Sequence, residues 1–203
     1  MTKIHIIGGP GSGKTTLAQE LSAKLHIPHY DLDKVKLEGK RAIDLALEAA
    51  WITEGIYLIV TEPFLYAADY IVLLEVSWPV AAWRIISRHI LNSLRGTQAY
   101  PGINGIRLLF KLLTYTRRYY LNQEQAAKYS IESLQEYCET HREVATPPTE
   151  DFMQSYVETY RGVAVPPSAE FAQRYLERYK EKVFVVRDGA DRERLFMKIE
   201  ELS

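Results

Sequence analysis

A lysine and two threonines close the glycine-rich run GGPGSGKTT, Gly8 to Thr16, directly behind the apolar stretch Ile4 to Ile7. Gly8, Gly13, Lys14 and Thr15 occupy the fixed positions of the pattern GxxxxGK[ST]. Glycines let the backbone curl until successive N–H groups point inward at one anion, and a following helix adds its positive end. Gly8, Gly9, Pro10, Gly11, Ser12, Gly13, Lys14, Thr15 and Thr16 are therefore expected to cradle the phosphates of ATP. Lys14 would bridge the β- and γ-phosphates, and the Thr15 hydroxyl would be a ligand of Mg2+.

Three acids stand where they could serve such a site. Asp31 and Asp33 end the stretch IPHYDLD. Residues two apart on a strand share a face, so both carboxylates can look at one ligand. Glu54, just before Gly55, is the expected second magnesium partner, acting through water opposite Thr15. Asp31 is a further metal candidate, and Asp33 is the candidate for orienting or deprotonating an acceptor hydroxyl.

Cations are gathered in one window. From Val76 to Gln123 there is no Asp or Glu, whereas Arg84, Arg88, Arg95, Arg107, Lys111, Arg117 and Arg118 all fall there. Arg84, Arg88 and Arg95 lie four and seven apart, on one helical face, and Arg107, Lys111, Thr114 and Arg118 form a second such stripe. The loop GTQAYPGIN joins them. Two helices presenting cations on either side of a loop predict a basic lid over 79–121 that meets anions.

Elements able to hold these residues follow from periodicity. KIHII is a short apolar strand, and Leu17, Leu21 and Leu25 recur every four residues behind the glycine run, so the motif sits between a strand and a helix. Further strands are expected in IPHYDLD, in WITEGIYLIV, from Ala67 to Val76 and in KVFVVRD, with a last helix from Asp191 to Leu202. Strands alternating with helices imply a parallel sheet covered on both faces, with the ligand crevice at the carboxyl ends of the strands.

Size and composition set the outer limits. With 203 residues, 47% of them hydrophobic, and a net charge of -1, the chain reads as one globular domain over 1–203. One cysteine, Cys138, allows no internal disulfide, and the five histidines form no pair at metal-ligand spacing. No apolar run approaches the roughly 18 residues of a membrane span, and the start of the chain does not read as a signal peptide, so a cytoplasmic location is expected.

The chain also repeats itself with a period of 19. Residues 145–163 and 164–182 share eight identities, and 126–144 matches the middle copy at seven positions. Phe152, Tyr156 and Tyr160 correspond to Phe171, Tyr175 and Tyr179, a stripe with helical spacing of the kind that normally packs. Three helical repeats are expected over 126–182, the third leading into the last core strand. An oligomeric contact through their tyrosines stays open.

KIHIIGGPGSGKTTLAQELS, HYDLD, WITEGIY, AAWRIISRHILNSLRG and RRYY together resemble the small P-loop proteins of the topology modulation (FlaR-type) family, relatives of adenylate kinase. The resemblance covers about residues 1–121 and 164–203. It implies a three-layer α/β/α P-loop NTPase fold with a five-stranded parallel sheet, a helical lid and a helical extension. Glu54-Gly55 is similar to the Asp-Gly pair that ends the third strand of adenylate kinases, while Leu58 stands where those kinases usually carry an arginine. Arg84 and Arg88 match their arginine pair, and Arg117 and Arg118 look like their lid-closing arginines. The Asp-x-Asp of Asp31 and Asp33 resembles that of small-metabolite kinases of the shikimate type.

The reading carried forward is an ATP-dependent phosphotransferase acting on a small-molecule acceptor: a nucleotide, a nucleoside or a hydroxylated metabolite. Its catalytic residues would be Lys14, Asp33, Arg84, Arg88 and Arg118. Two alternatives stand beside it. One is an NTP-dependent regulatory protein that binds nucleic acid through the basic window, which the near-neutral net charge speaks against. The other is a nucleotide-binding scaffold that assembles through the repeats. No membrane partner is expected.

Overall fold

A computed structural model of the chain describes residues 2–32, 44–58, 61–97, 102–123 and 168–200. Asp33 and the repeats up to residue 167 lie outside the described residues.

Five short strands carry the site: β1 (Lys3–Gly8), β2 (His29–Asp31), β3 (Trp51–Gly55), β4 (Tyr70–Leu74) and β5 (Val183–Val186). They form one parallel sheet in the order β2-β3-β1-β4-β5. Helix α1 (Lys14–Leu25) follows β1, α2 (Glu62–Ala67) precedes β4, and α3 (Trp78–Leu94) and α4 (Ile103–Tyr120) follow it. Helix α5 (Ala169–Leu176), one 3-10 turn (Glu177–Tyr179), β5 and α6 (Gly189–Glu200) complete the described chain. This is the α/β phosphate-loop architecture. The chain's neighbours in the sheet change hand at β1, so the loop after β1 opens at the switch point where ligands bind.

Alternation along the strands divides the core into two layers. Ile4, Ile6, Ile52, Val72 and Leu74 face Leu17, Ala18 and Leu21 of α1 and Leu195 and Ile199 of α6. On the other side Ile7, Trp51, Ile71 and Leu73 face Phe64 and Leu65 of α2 and Phe171, Ala172, Tyr175 and Leu176 of α5. Covering both faces is what lets strands as apolar as YIVLL sit in the middle of a domain. Trp51 meets Phe64 edge to face with ring centroids 5.3 Å apart, and its indole N–H donates to the Ala46 carbonyl at 3.2 Å. A buried aromatic pair of this geometry adds about 1 kcal/mol beyond its area.

Several strands are shorter than the sequence pattern suggests. β3 stops at Gly55, and Thr61 and Pro63 open α2, a helix that periodicity did not reveal because it is under two turns long. The third 19-residue copy supplies α5. Ser168 is its N-cap, accepting from the Phe171 N–H at 3.1 Å, and Phe171 and Tyr175 are buried in the core.

Glu62 ties α5 to α2. Its carboxylate accepts from the phenols of Tyr175 and Tyr179, each at 2.5 Å, and from Arg178 at 2.9 Å. The ion pair is almost fully buried, and the Arg178 guanidinium lies over the Tyr175 ring at 4.1 Å. Tyrosines of the repeat thus act here both as apolar packing and as donors to a buried charge.

Candidate functional site

The turn at Pro10 to Ser12 leads from β1 into α1, whose N-cap is Gly13. No side chain caps α1 and its first turn carries no acid, so the helix end keeps its positive potential for a ligand. Gly11 has φ +75°, and a Cβ there would stand 2.7 Å from the Ala81 carbonyl of α3. At Gly9 a Cβ would strike the Tyr119 ring at 2.5 Å. Gly11 is therefore required twice over, by its backbone conformation and by the closeness of α3, and Gly9 by the closeness of α4. The Lys14 ammonium is buried and donates to the Gly9 carbonyl at 3.3 Å.

Thr15 and Glu54 meet directly. The Thr15 hydroxyl donates to Glu54 Oε1 at 2.7 Å, and Glu54, at the end of β3, is only 1% exposed. Asp31 pairs in register with Glu54 across β2 and β3, which sends both side chains to the same side of the sheet. His29 Nε2 lies 3.9 Å from Glu54 Oε1. Among the described residues no group of three or more His, Cys, Asp or Glu could hold an ion unaided. A hydroxyl beside one buried carboxylate instead fits magnesium that brings its own phosphates and water, since this ion keeps much of its hydration.

Arg84 and Arg88 lie one helical turn apart on α3, and both line the cleft of about 850 Å³ over the loop. Arg84 donates to the Ser12 carbonyl at 2.6 Å and to that of Gly11 at 3.4 Å. Arg117 and Arg118 are exposed on α4 and do not line this cleft. The cause is the phase of α4: Gly105, Thr116 and Tyr119 face inward, which turns positions 117 and 118 to solvent. Arg95 stands at the C-cap of α3, beyond the cleft.

Two further parts of the site carry no motif. The cleft continues past Val186 to Arg187, Asp188, Gly189 and Arg192, at the mouth of β5. Arg187 is held by Glu75 at 2.9 Å, and Arg192 pairs with Glu20 of α1. The carboxyl of Asp191 is held below the usual range, first by the Arg187 backbone N–H and then by Arg194. Tyr119 and Tyr120 press on the loop, and the Tyr120 phenol donates to the Pro10 carbonyl at 3.2 Å. Burial pushes both phenols far above their ordinary range, so they stay neutral.

His5, two residues inside β1, is fully buried with Nδ1 2.7 Å from the Thr53 hydroxyl. Burial lowers its pKa to about 3, which keeps the ring neutral under the loop.

No family model matches the chain, and no curated protein matches it. Similar solved structures include a shikimate kinase from Bacteroides thetaiotaomicron, 20% identical over 58% of this chain and 78% of that one, with a TM-score of 0.29. A gluconokinase from Sinorhizobium meliloti is 12% identical over 100% and 97%, with a TM-score of 0.33. A deoxyadenosine kinase from M. mycoides, solved with bound dATP, is 14% identical over 98% and 99%, with a TM-score of 0.38. Likenesses of this degree carry none of the functional reading, which stands on the chain's own residues. Among the described residues, no helix is long and apolar enough to cross a membrane.

Proposed function

We propose that this chain is an ATP-dependent phosphotransferase that moves the γ-phosphoryl group to a small hydroxylated acceptor. The observation that carries the reading is the Thr15–Glu54 hydrogen bond of 2.7 Å at the mouth of a phosphate loop whose cleft is lined by Arg84 and Arg88. Phosphoryl transfer asks a protein for positioning and charge neutralisation more than for covalent chemistry. The loop N–H groups and Lys14 would hold the β- and γ-phosphates. Thr15, and Glu54 through water, with Asp31 beside them, would hold magnesium, which would supply positive charge to offset that of the phosphates.

Arg84 already donates to the loop carbonyls, so it fixes the loop's outer wall. Arg88, one turn further along α3, would meet the transferring group. Asp33 remains the proposed acceptor-orienting acid. Arg118 would act only after α4 turns toward the cleft. The acceptor is bounded by a buried Leu58 at the position where adenylate kinases usually carry an arginine, which favours a hydroxylated metabolite or nucleoside over a nucleoside monophosphate.

A transfer screen tests the reading. The protein, ATP and magnesium are incubated with nucleosides, nucleoside monophosphates and hydroxylated metabolites, and phosphorylated product is followed by mass. Product from at least one class, absent with Lys14→Ala, is expected. ATP turnover to ADP and phosphate with no acceptor dependence in any class would replace the phosphotransferase by a nucleotide hydrolase.

A further inference from the structure

A helix on the surface of a folded domain normally turns its polar side outward. α3 buries Ala81 and Ile85, and α4 buries Gly105, Thr116 and Tyr119, yet both also turn large apolar residues outward. In the whole chain Trp83 is 71% exposed, Leu94 80%, Ile103 71% and Phe110 65%, with Ile90 and Ile106 half exposed beside them. Helical spacing puts Trp83, Ile90 and Leu94 on one face of α3 and Ile103, Ile106 and Phe110 on one face of α4. The helices pack side by side, sharing a groove lined by Ile85, Asn92, Gly105 and Leu112, so the two stripes are neighbours. Exposed apolar surface on this scale marks a contact site.

Cations border both stripes. Arg95 follows Leu94, Arg107 follows Ile106 and Lys111 follows Phe110, each exposed and about 100° further round its helix. The window 76–123 holds seven basic residues and no acidic one. The occupant must therefore be apolar and anionic at once. A second copy presenting the same face would set cations against cations. A nucleic acid would bring anions but no apolar layer for Leu94, Ile103 and Phe110 to enter.

We propose that α3 and α4 dock this chain on the surface of an anionic lipid bilayer. The apolar stripes enter the boundary of headgroups and acyl chains, and Arg95, Arg107 and Lys111 meet the negative headgroups. Trp83 is suited to the headgroup level, where an amphipathic indole settles. Neither helix is long and apolar enough to cross a bilayer, so the contact is with its surface. The expectation of no membrane partner rests on the lack of a spanning run, and a helix lying in the interface needs none.

The test is flotation of the full chain with phosphatidylcholine vesicles, with and without phosphatidylserine. The chain should float with the anionic vesicles only, and raised salt should release it. Arg107→Glu combined with Lys111→Glu should weaken the affinity about thirtyfold or more, since one basic residue near an anionic surface contributes about fivefold. Leu94→Gln combined with Phe110→Gln should weaken it about tenfold through lost apolar burial, with an unchanged circular dichroism spectrum. Anionic vesicles should shift tryptophan emission to the blue, and Trp83→Phe should remove that shift. Failure of the folded chain to float would overturn the proposal. So would binding that the apolar substitutions leave untouched, or a lipid-free dimer that those substitutions dissociate, which would give the face to a second copy.

Discussion

Thr15 and Glu54 are 39 positions apart in the chain and 2.7 Å apart in the fold, joined because β1 and β3 are neighbours whose ends coincide at the loop. That hydrogen bond holds a hydroxyl and a carboxylate ready on the side where a metal-bound nucleotide would arrive.

Replacing the acid is therefore selective. Glu54→Gln should weaken magnesium-dependent ATP affinity by about tenfold or more, the usual cost of losing a group that orients a metal's inner ligands. ATP affinity measured in EDTA should hardly change. Titrations with and without magnesium separate the two, and equal losses in both would mean that Glu54 supports the loop rather than the ion.

Arg88 lines the cleft one helical turn from Arg84, whose guanidinium donates to the loop carbonyls. Arg88→Ala should lower turnover about a hundredfold while leaving the KM for ATP close to its starting value, as expected for a donor used mainly in the transition state. Steady-state kinetics at varied ATP reads this directly.

How much of this was open to view in the sequence depends on the range of each interaction. The phosphate loop was fully legible, since all its residues are contiguous and their conformational demands are local. Glu54 could be found as an acid at a strand end, and Arg84 with Arg88 by helical spacing. Tyr119 and Tyr120 could not be given their role, because pressing on Gly9 and Pro10 joins positions about 110 apart through residue types that pack anywhere. Arg118 has the same spacing signal as Arg88 yet faces solvent, for periodicity finds a face and not what the face meets. Arg187 and Arg192 sit in no recognisable pattern, and only the pairing of β5 with β4 brings them to the cleft.

Glu62 gives a stability prediction. Glu62→Ala would remove the carboxylate that the nearly buried Arg178 and the phenols of Tyr175 and Tyr179 share between α2 and α5. Breaking a buried pair from one side costs about 3–5 kcal/mol. Urea unfolding should show a lower midpoint by a corresponding amount, and a change below about 1 kcal/mol would mean that the cluster is hydrated.

His5 contributes to the acid limb of stability. Its folded pKa of about 3 lies below the unfolded value of about 6.5, so the unfolded chain binds the extra proton between them. Its contribution is fully present above pH 6.5 and is lost as pH falls toward 3, by about 1.4 kcal/mol for each unit crossed. In His5→Gln the unfolding free energy should fall less steeply over that window, as measured by denaturant titrations at stepped pH.

The most direct measurement is a calorimetric titration of magnesium-ATP into the full chain and into Lys14→Ala, with circular dichroism to compare their folds. Lys14 supplies the central positive charge of the loop, and its buried ammonium already turns inward to the Gly9 carbonyl. Saturable binding by the unsubstituted chain, lost in a Lys14→Ala protein of unchanged spectrum, is the result expected here. Equal affinity in the two proteins would contradict the assignment of this loop as the nucleotide site, and with it the phosphotransferase.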